Sequence, residues 1–227
     1  MQFAILTFPG TNCEKDLHHC LTTILGQQAH YIPHHIADDT ALDHVDGIFL
    51  PGGASYGDRE APGRIASQDP IIKALHRANS QGKTIVGICN GFQILTQAGL
   101  LPGQLLPNPI KKFICKTVPI QVATTDSRFT NQYKKGQIVH YPIAHLSGNY
   151  QCTPAQLNEA QVLFTYQSDI NGSVDQIAGI TNQAGNVLGL MPHPERAVEM
   201  LFGNTDGLGL FRSMFQSIFQ SILSSAK

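Results

Sequence analysis

The chain carries little charge: 14% of its 227 residues are Asp, Glu, Lys or Arg, and the formal net charge is −1. Without a basic stripe it lacks the electrostatic footprint of a nucleic-acid binder. No apolar run approaches the length that a membrane-spanning helix needs, so no membrane partner is expected. The first residues lack a basic segment ahead of an apolar core, and Phe3-Ala4-Ile5-Leu6 reads as a first strand, not a leader. Cysteine is sparse: five residues, at 13, 20, 89, 115 and 152, an odd and scattered set without C-x-x-C spacing. That argues against a zinc or disulfide framework and for reduced thiols in a cytoplasm, which leaves Asn171-Gly172-Ser173 an idle sequon. The histidines at 18, 19, 30, 34, 35 and 44 have no H-E-x-x-H or comparable spacing, so no metal is expected. Gly82-Lys83-Thr84 superficially resembles a phosphate loop, but Arg77 stands where that motif needs Gly. The segment also precedes a strand where a phosphate loop would open a helix. No nucleotide site of the chain's own is expected.

What is present is an alternation of apolar runs and helical patterns. Strands are predicted over 2–8, 29–32, 46–50 and 84–88, and helices over 13–25, 69–81 and 90–98. This order marks an α/β fold with a mostly parallel open sheet and helices on both faces. Between 113 and 191 the strands crowd together, at 113–122, 137–143, 162–165, 176–181 and 187–191, which predicts antiparallel additions in the C-terminal half. From Asp206 an amphipathic helix is predicted to bury Leu208, Phe211, Phe215, Ile218 and Ile222. Arg212, Ser213, Gln216, Ser217 and Gln220 fall largely opposite. The length suits one domain over 1–227 with a sizeable core.

The chemistry begins at Gly87-Ile88-Cys89-Asn90-Gly91, between the strand at 84–88 and the helix at 90–98. Strand, glycine-flanked turn and helix make a nucleophile elbow with Cys in the nucleophile's place. The positive end of the following helix favours thiolate there. A structural cysteine in a βα turn would fit this motif equally well if it stood alone. A second segment changes the balance. The strand at 186–191 runs into Pro192-His193-Pro194-Glu195-Arg196, where His193 can serve as base and Glu195 can orient its other ring nitrogen. Both Cys89 and His193 follow strand C-termini, where open α/β sheets place their sites. A third strand, 46–50, leads into Pro51-Gly52-Gly53. Backbone N–H groups of this turn and of Asn90 are expected to form an oxyanion hole.

With Gly52-Gly53, the set Cys89, His193 and Glu195 resembles the triad class of glutamine amidotransferases. Longer stretches are more particular: Phe8-Pro9-Gly10-Thr11-Asn12-Cys13, Leu50-Pro51-Gly52-Gly53 with Ser55-Tyr56-Gly57-Asp58, Cys89-Asn90-Gly91-Phe92-Gln93, Pro142-Ile143-Ala144-His145 and Gly148-Asn149-Tyr150. Through these the chain resembles, over nearly its whole length, the glutaminase-subunit family of phosphoribosylformylglycinamidine synthase. The resemblance implies that Cys89 attacks the side-chain amide of glutamine, with His193 as proton carrier and Glu195 as its orienter. It implies that Gln93 helps hold the substrate. It also implies that ammonia passes to a synthetase subunit in purine biosynthesis, where ATP and Mg act, with a small assembly subunit completing the complex.

The sequence departs from that family at Arg59-Glu60-Ala61-Pro62, at Pro107 and at Leu146-Ser147, none of which touches the triad. Three other readings stay open on these residues. One is a free-standing cysteine amidohydrolase or peptidase of the same fold, and another is a glutaminase subunit of a different ammonia-using synthetase. The third is a non-catalytic assembly module.

Overall fold

Strands β1 (Gln2–Thr7), β3 (Gly47–Leu50), β4 (Thr84–Ile88) and β11 (Val187–Leu190) form the centre of the computed structural model, which describes residues 1–225. Every residue of β3, β4 and β11 is buried, as strands covered on both faces must be. With β2 (Gln28–Pro33) they make the parallel half of a nine-stranded sheet ordered β2-β1-β3-β4-β11-β10-β9-β6-β7. The other half is antiparallel: β6 (Ile114–Val122), β7 (Ile138–His145), β9 (Ala160–Tyr166) and β10 (Ile177–Asn182). Two short strands missing from the sequence reading, β5 (Gln104–Leu106) and β8 (Asn149–Gln151), pair separately as a ribbon. At three residues each, they are too short to show a period.

Helices cover both faces of the parallel half. The pairing register puts Phe3, Phe49 and Val86 on one face, and Ile85, Gly87 and Gly189 on the other. Helix α5 (Leu208–Ser225) packs on the first face, Phe211 against Phe49 and Phe215 against Phe3 at 6.1 and 5.3 Å between ring centroids. Of the two, Phe211 is fully buried, worth about 1.5–3 kcal/mol, and Phe215 is half-buried. Helix α3 (Asn90–Gln97) lies on the second face, with Leu95 over Gly87 and Phe92 over Gly189. The remaining helices are α1 (Glu14–His19), α2 (Ile71–Ser80) and the short α4 (Pro154–Leu157).

Two sequence expectations need correction. The helix over 13–25 is an α-helix only to His19, after which Cys20–Ile24 continue as a π-helical turn. The buried stripe of α5 is Leu210, Phe211, Met214 and Ile218, while Ile222 is 47% exposed. Ser213, expected outside, is fully buried because its hydroxyl donates to the Gly209 carbonyl and accepts from the Gln132 N–H. A hydroxyl so satisfied loses little by leaving water, and periodicity alone cannot detect the partner.

Candidate active site

Three adjacent parallel strands end side by side, β3, β4 and β11, and the next few residues of each carry Gly52, Cys89 and His193. Cys89 adopts φ 53° and ψ −106°, a sparsely populated conformation for a residue with a side chain. Its backbone is held there from both sides. The Cys89 N–H donates to the Leu190 carbonyl of β11 at 2.8 Å, and its carbonyl accepts the first helical bond from Gln93 N–H at 3.2 Å. Gly91 permits the turn because a Cβ there would fall 2.0 Å from the Leu50 carbonyl oxygen. The elbow thus requires the first turn of α3 to pass hard against Leu50, the last residue of β3.

His193 and Glu195 form a fully buried pair, with Nδ1 donating to Oε1 at 2.6 Å. The His193 N–H also donates to the Pro142 carbonyl at 2.8 Å, which ties the segment after β11 to β7. Burial alone would lower the imidazole's pKa, but the Glu195 carboxylate and the adjoining Cys89 outweigh it and raise it to about 10. Nε2 is left without a hydrogen-bond partner among the described residues and lies next to Cys89, whose thiol is directed at the Ala144 carbonyl at 3.6 Å. Cys89, His193 and Glu195 therefore stand in series, an arrangement that suits nucleophilic catalysis.

Gly52 is the packing centre of this group. A Cβ at Gly52 would lie 2.8 Å from His193 Cε1, 2.9 Å from Cys13 Sγ and 3.4 Å from Cys89 Cβ. Gly53 is bridged to Thr11 through the bonds Asn12 N–H to Gly52 O and Ala54 N–H to Gly10 O, a pairing that does not use its own N–H. Asn90, as the first residue of α3, has a backbone N–H with no intrahelical acceptor. Gly53, Cys89 and His193 line a cavity of about 430 Å³, a size typical of small-molecule sites. Gln93 also lines it, and its amide is already engaged: Oε1 accepts from Asn90 Nδ2 at 2.8 Å and Nε2 donates to the Ser147 carbonyl at 2.7 Å. Asn90 Oδ1 in turn accepts the Ser55 N–H at 3.1 Å, fixing the loop that carries Asp58.

Four further titratable residues line the cavity, each left without a role by the sequence reading. Cys13 Sγ donates to Asn12 Oδ1 at 3.1 Å and accepts from Arg196 Nη2 at 3.0 Å; burial pushes its pKa up to about 12. Arg196 also binds Asp16 through Nε at 2.9 Å. Burial raises the Asp58 carboxyl, which sits at φ 51° in the strained loop after Ser55. The fourth is His145. All four lie within the quoted motif stretches or directly beside Glu195, but only their convergence in space distinguishes them from structural neighbours. Among the described residues no group of three or more His, Cys, Asp or Glu is placed to hold a metal ion, and no helix is long and apolar enough to cross a membrane.

Residues 1–222 match the family model described as a CobB/CobQ-like glutamine amidotransferase domain. Among solved structures, a chain of the structure of PurLQS from Thermotoga maritima is 42% identical, with a TM-score of 0.89, over 96% of this chain and 98% of that one. A candidate GMP synthase component from Thermoplasma acidophilum matches at 15% identity and a TM-score of 0.72, covering 100% of this chain and 98% of its own. A glutamine amidotransferase from Thermotoga maritima matches at 13% and 0.63, covering 96% and 97%. The last two share the fold.

Proposed function

The chain belongs to the CobB/CobQ-like glutamine amidotransferase family, and from that premise we infer that it is the glutaminase subunit of phosphoribosylformylglycinamidine synthase. Its reaction is hydrolysis of glutamine, and the ammonia released serves a synthetase that converts formylglycinamide ribonucleotide to the amidine in purine biosynthesis. The observation that carries this reading is the 42% identity to a PurLQS chain, spanning 96% of the residues.

The geometry supports a division of roles. Cys89 Sγ attacks the side-chain carbonyl carbon of glutamine, and the thiol proton passes to His193 Nε2. The oxyanion so formed is met by the N–H groups of Asn90 and of the Gly52-Gly53 turn. Collapse breaks the C–N bond, and His193 gives its proton to the departing nitrogen, releasing ammonia and leaving a glutamyl thioester. His193 then takes a proton from water as the water attacks, glutamate leaves, and the Cys89 thiol is restored. Glu195 fixes the Nδ1–H tautomer through the 2.6 Å bond and stabilises the imidazolium. Gln93 holds Asn90 and the Ser147 carbonyl in place, and its second Nε2 hydrogen is available to the substrate. ATP and Mg act on the synthetase partner in the cytoplasm, and a small assembly subunit completes the complex.

Glutamate release by the chain alone, compared with release in the presence of synthetase subunit, formylglycinamide ribonucleotide and ATP, tests the reading. Low activity alone and a large rise in the mixture is the expected result. High activity alone that ignores the mixture would keep the cysteine chemistry and refute the purine assignment.

A further inference from the structure

Two loops supply the oxyanion donors, and one side chain joins those loops. Residues 52–56, after β3, lie between the segments that follow β1 and β4, as the sheet order β1-β3-β4 dictates. Their edge toward the β1 side is paired: Ala54 N–H donates to the Gly10 carbonyl at 3.0 Å and Tyr56 N–H to the Pro9 carbonyl at 2.6 Å. Backbone N–H groups of an extended segment alternate between its two edges. Those of Gly53 and Ser55 therefore belong to the opposite edge, on the side of β4 and the Cys89 elbow. Ser55 N–H finds its acceptor there in Asn90 Oδ1, at 3.1 Å. Gly53, on the same edge, lines the cavity together with Cys89.

The Asn90 side chain is itself held firmly. The residue is buried, and Nδ2 donates to Gln93 Oε1 at 2.8 Å and to Asp58 Oδ1 at 3.4 Å. Beyond Ser55 the backbone is strained: Tyr56 and Asp58 adopt φ 54° and 51°, a region costly for residues with side chains. The bond from Ser55 N–H to Asn90 thus anchors the inner end of a segment that would gain by relaxing. Two donors serve one oxyanion only if each lies about 2.7–3.1 Å from it, so their spacing must be fixed beforehand. We propose that the Asn90 side chain is a positioning residue for the oxyanion hole. By binding Ser55 N–H, it sets the separation between its own backbone N–H and that of Gly53. This rests on the glutaminase reading above.

The test is Asn90→Ala in the complex with its synthetase, a change that keeps the backbone N–H of residue 90 and removes the strut. The readouts are kcat and KM for glutamine, the inhibition constant of glutamate, and the rate of Cys89 alkylation by iodoacetamide. Glutamate occupies the pocket without forming an oxyanion. In the alkylation Sγ bonds to a saturated carbon as iodide leaves, again with no oxyanion. The expected result is a kcat lowered roughly a hundredfold, as for loss of an oxyanion donor. The other three quantities should stay within about threefold of wild type, the pattern of an interaction made only in the transition state. An unchanged kcat, or a comparable loss in glutamate binding and alkylation, would overturn the proposal and leave Asn90 a structural residue. Asn90→Leu, of similar size but without an acceptor, should give the same pattern and carries the test if Asn90→Ala does not fold. A wild-type complex that releases no glutamate from glutamine would instead sink the glutaminase reading, and the proposal with it.

Discussion

Replacing Gly52 by Ala adds one methyl group where three side chains converge, without altering any reactive group. Gly52 has no left-handed backbone angle, so alanine meets no conformational objection, and the cost is one of contact. The new Cβ would stand 2.8 Å from His193 Cε1 and 2.9 Å from Cys13 Sγ. Ordinary carbon contacts are about 3.5–4.0 Å, so the neighbours must give way by several tenths of an ångström. His193 yields reluctantly, being held by Glu195 at 2.6 Å and by the Pro142 carbonyl at 2.8 Å. Cys13 is held by Asn12 and Arg196. Overpacking of this kind costs about 1–3 kcal/mol in stability, which is a Tm lowered by roughly 2 to 12 °C for a chain of this size. The larger effect is on turnover. A misplacement of about 1 Å in a catalytic group costs on the order of a hundredfold, close to 2.7 kcal/mol of barrier. Glutamate release in the stimulated complex should therefore fall roughly a hundredfold for Gly52→Ala while the protein remains folded. Wild-type turnover in a folded Gly52→Ala protein would show that His193 and Cys89 tolerate displacement, and would refute the packing argument.

Other perturbations test separate links. Cys89→Ala should remove roughly a thousandfold or more of glutamine-dependent turnover and spare activity with supplied ammonia in the complex; loss of both would contradict a separate ammonia-using site. Gly91→Ala puts a Cβ 2.0 Å from the Leu50 carbonyl oxygen, on backbone that cannot move cheaply. Thermal unfolding should show roughly 3 kcal/mol or more of destabilisation, and an unchanged Tm would disprove the close approach of Gly91 to the end of β3. The His193 pKa is raised from 6.5 to about 10, so the stability it contributes is complete below pH 6.5 and disappears as pH rises through 10. Denaturant unfolding should show the advantage of wild type over Glu195→Gln shrinking across that window; a pH-independent difference would count against the buried pair. His145 has the opposite sign. Its pKa is lowered to about 4, so the folded state resists protonation and loses stability as pH falls from 6.5 toward 4. His145→Asn should gain on wild type over that interval, and parallel profiles would argue against a buried neutral ring.

The central strands of the parallel half were readable in the sequence because burial on both faces writes them as apolar runs, as in Ile85-Val86-Gly87-Ile88 and Val187-Leu188-Gly189-Leu190. The antiparallel half was readable as closely spaced strands, though not in its order β10-β9-β6-β7, since pairing between strands leaves no local mark on either. The π-helical turn at Cys20–Ile24 and the ribbon of β5 and β8 escaped notice because neither spans enough residues to display a period. Ser213 was misjudged because its hydroxyl partners lie in its own previous turn and at Gln132.

Which residue types the chemistry has available, and where along the chain they sit, is already written in the order of amino acids. Cysteine stands between glycines at a strand–helix junction, and histidine and glutamate are separated by one proline. These are local facts, enforced by backbone sterics within a few residues. It took the folded chain to make β3, β4 and β11 neighbours, and so to set Gly52 between His193 and the pair Cys13 and Cys89. Folding likewise brought Arg196 to Cys13 across 183 positions and left the His145 ring without a partner among the described residues. Contacts between distant segments depend on how whole elements pack, and packing is a property of the folded chain that no short window of residues contains.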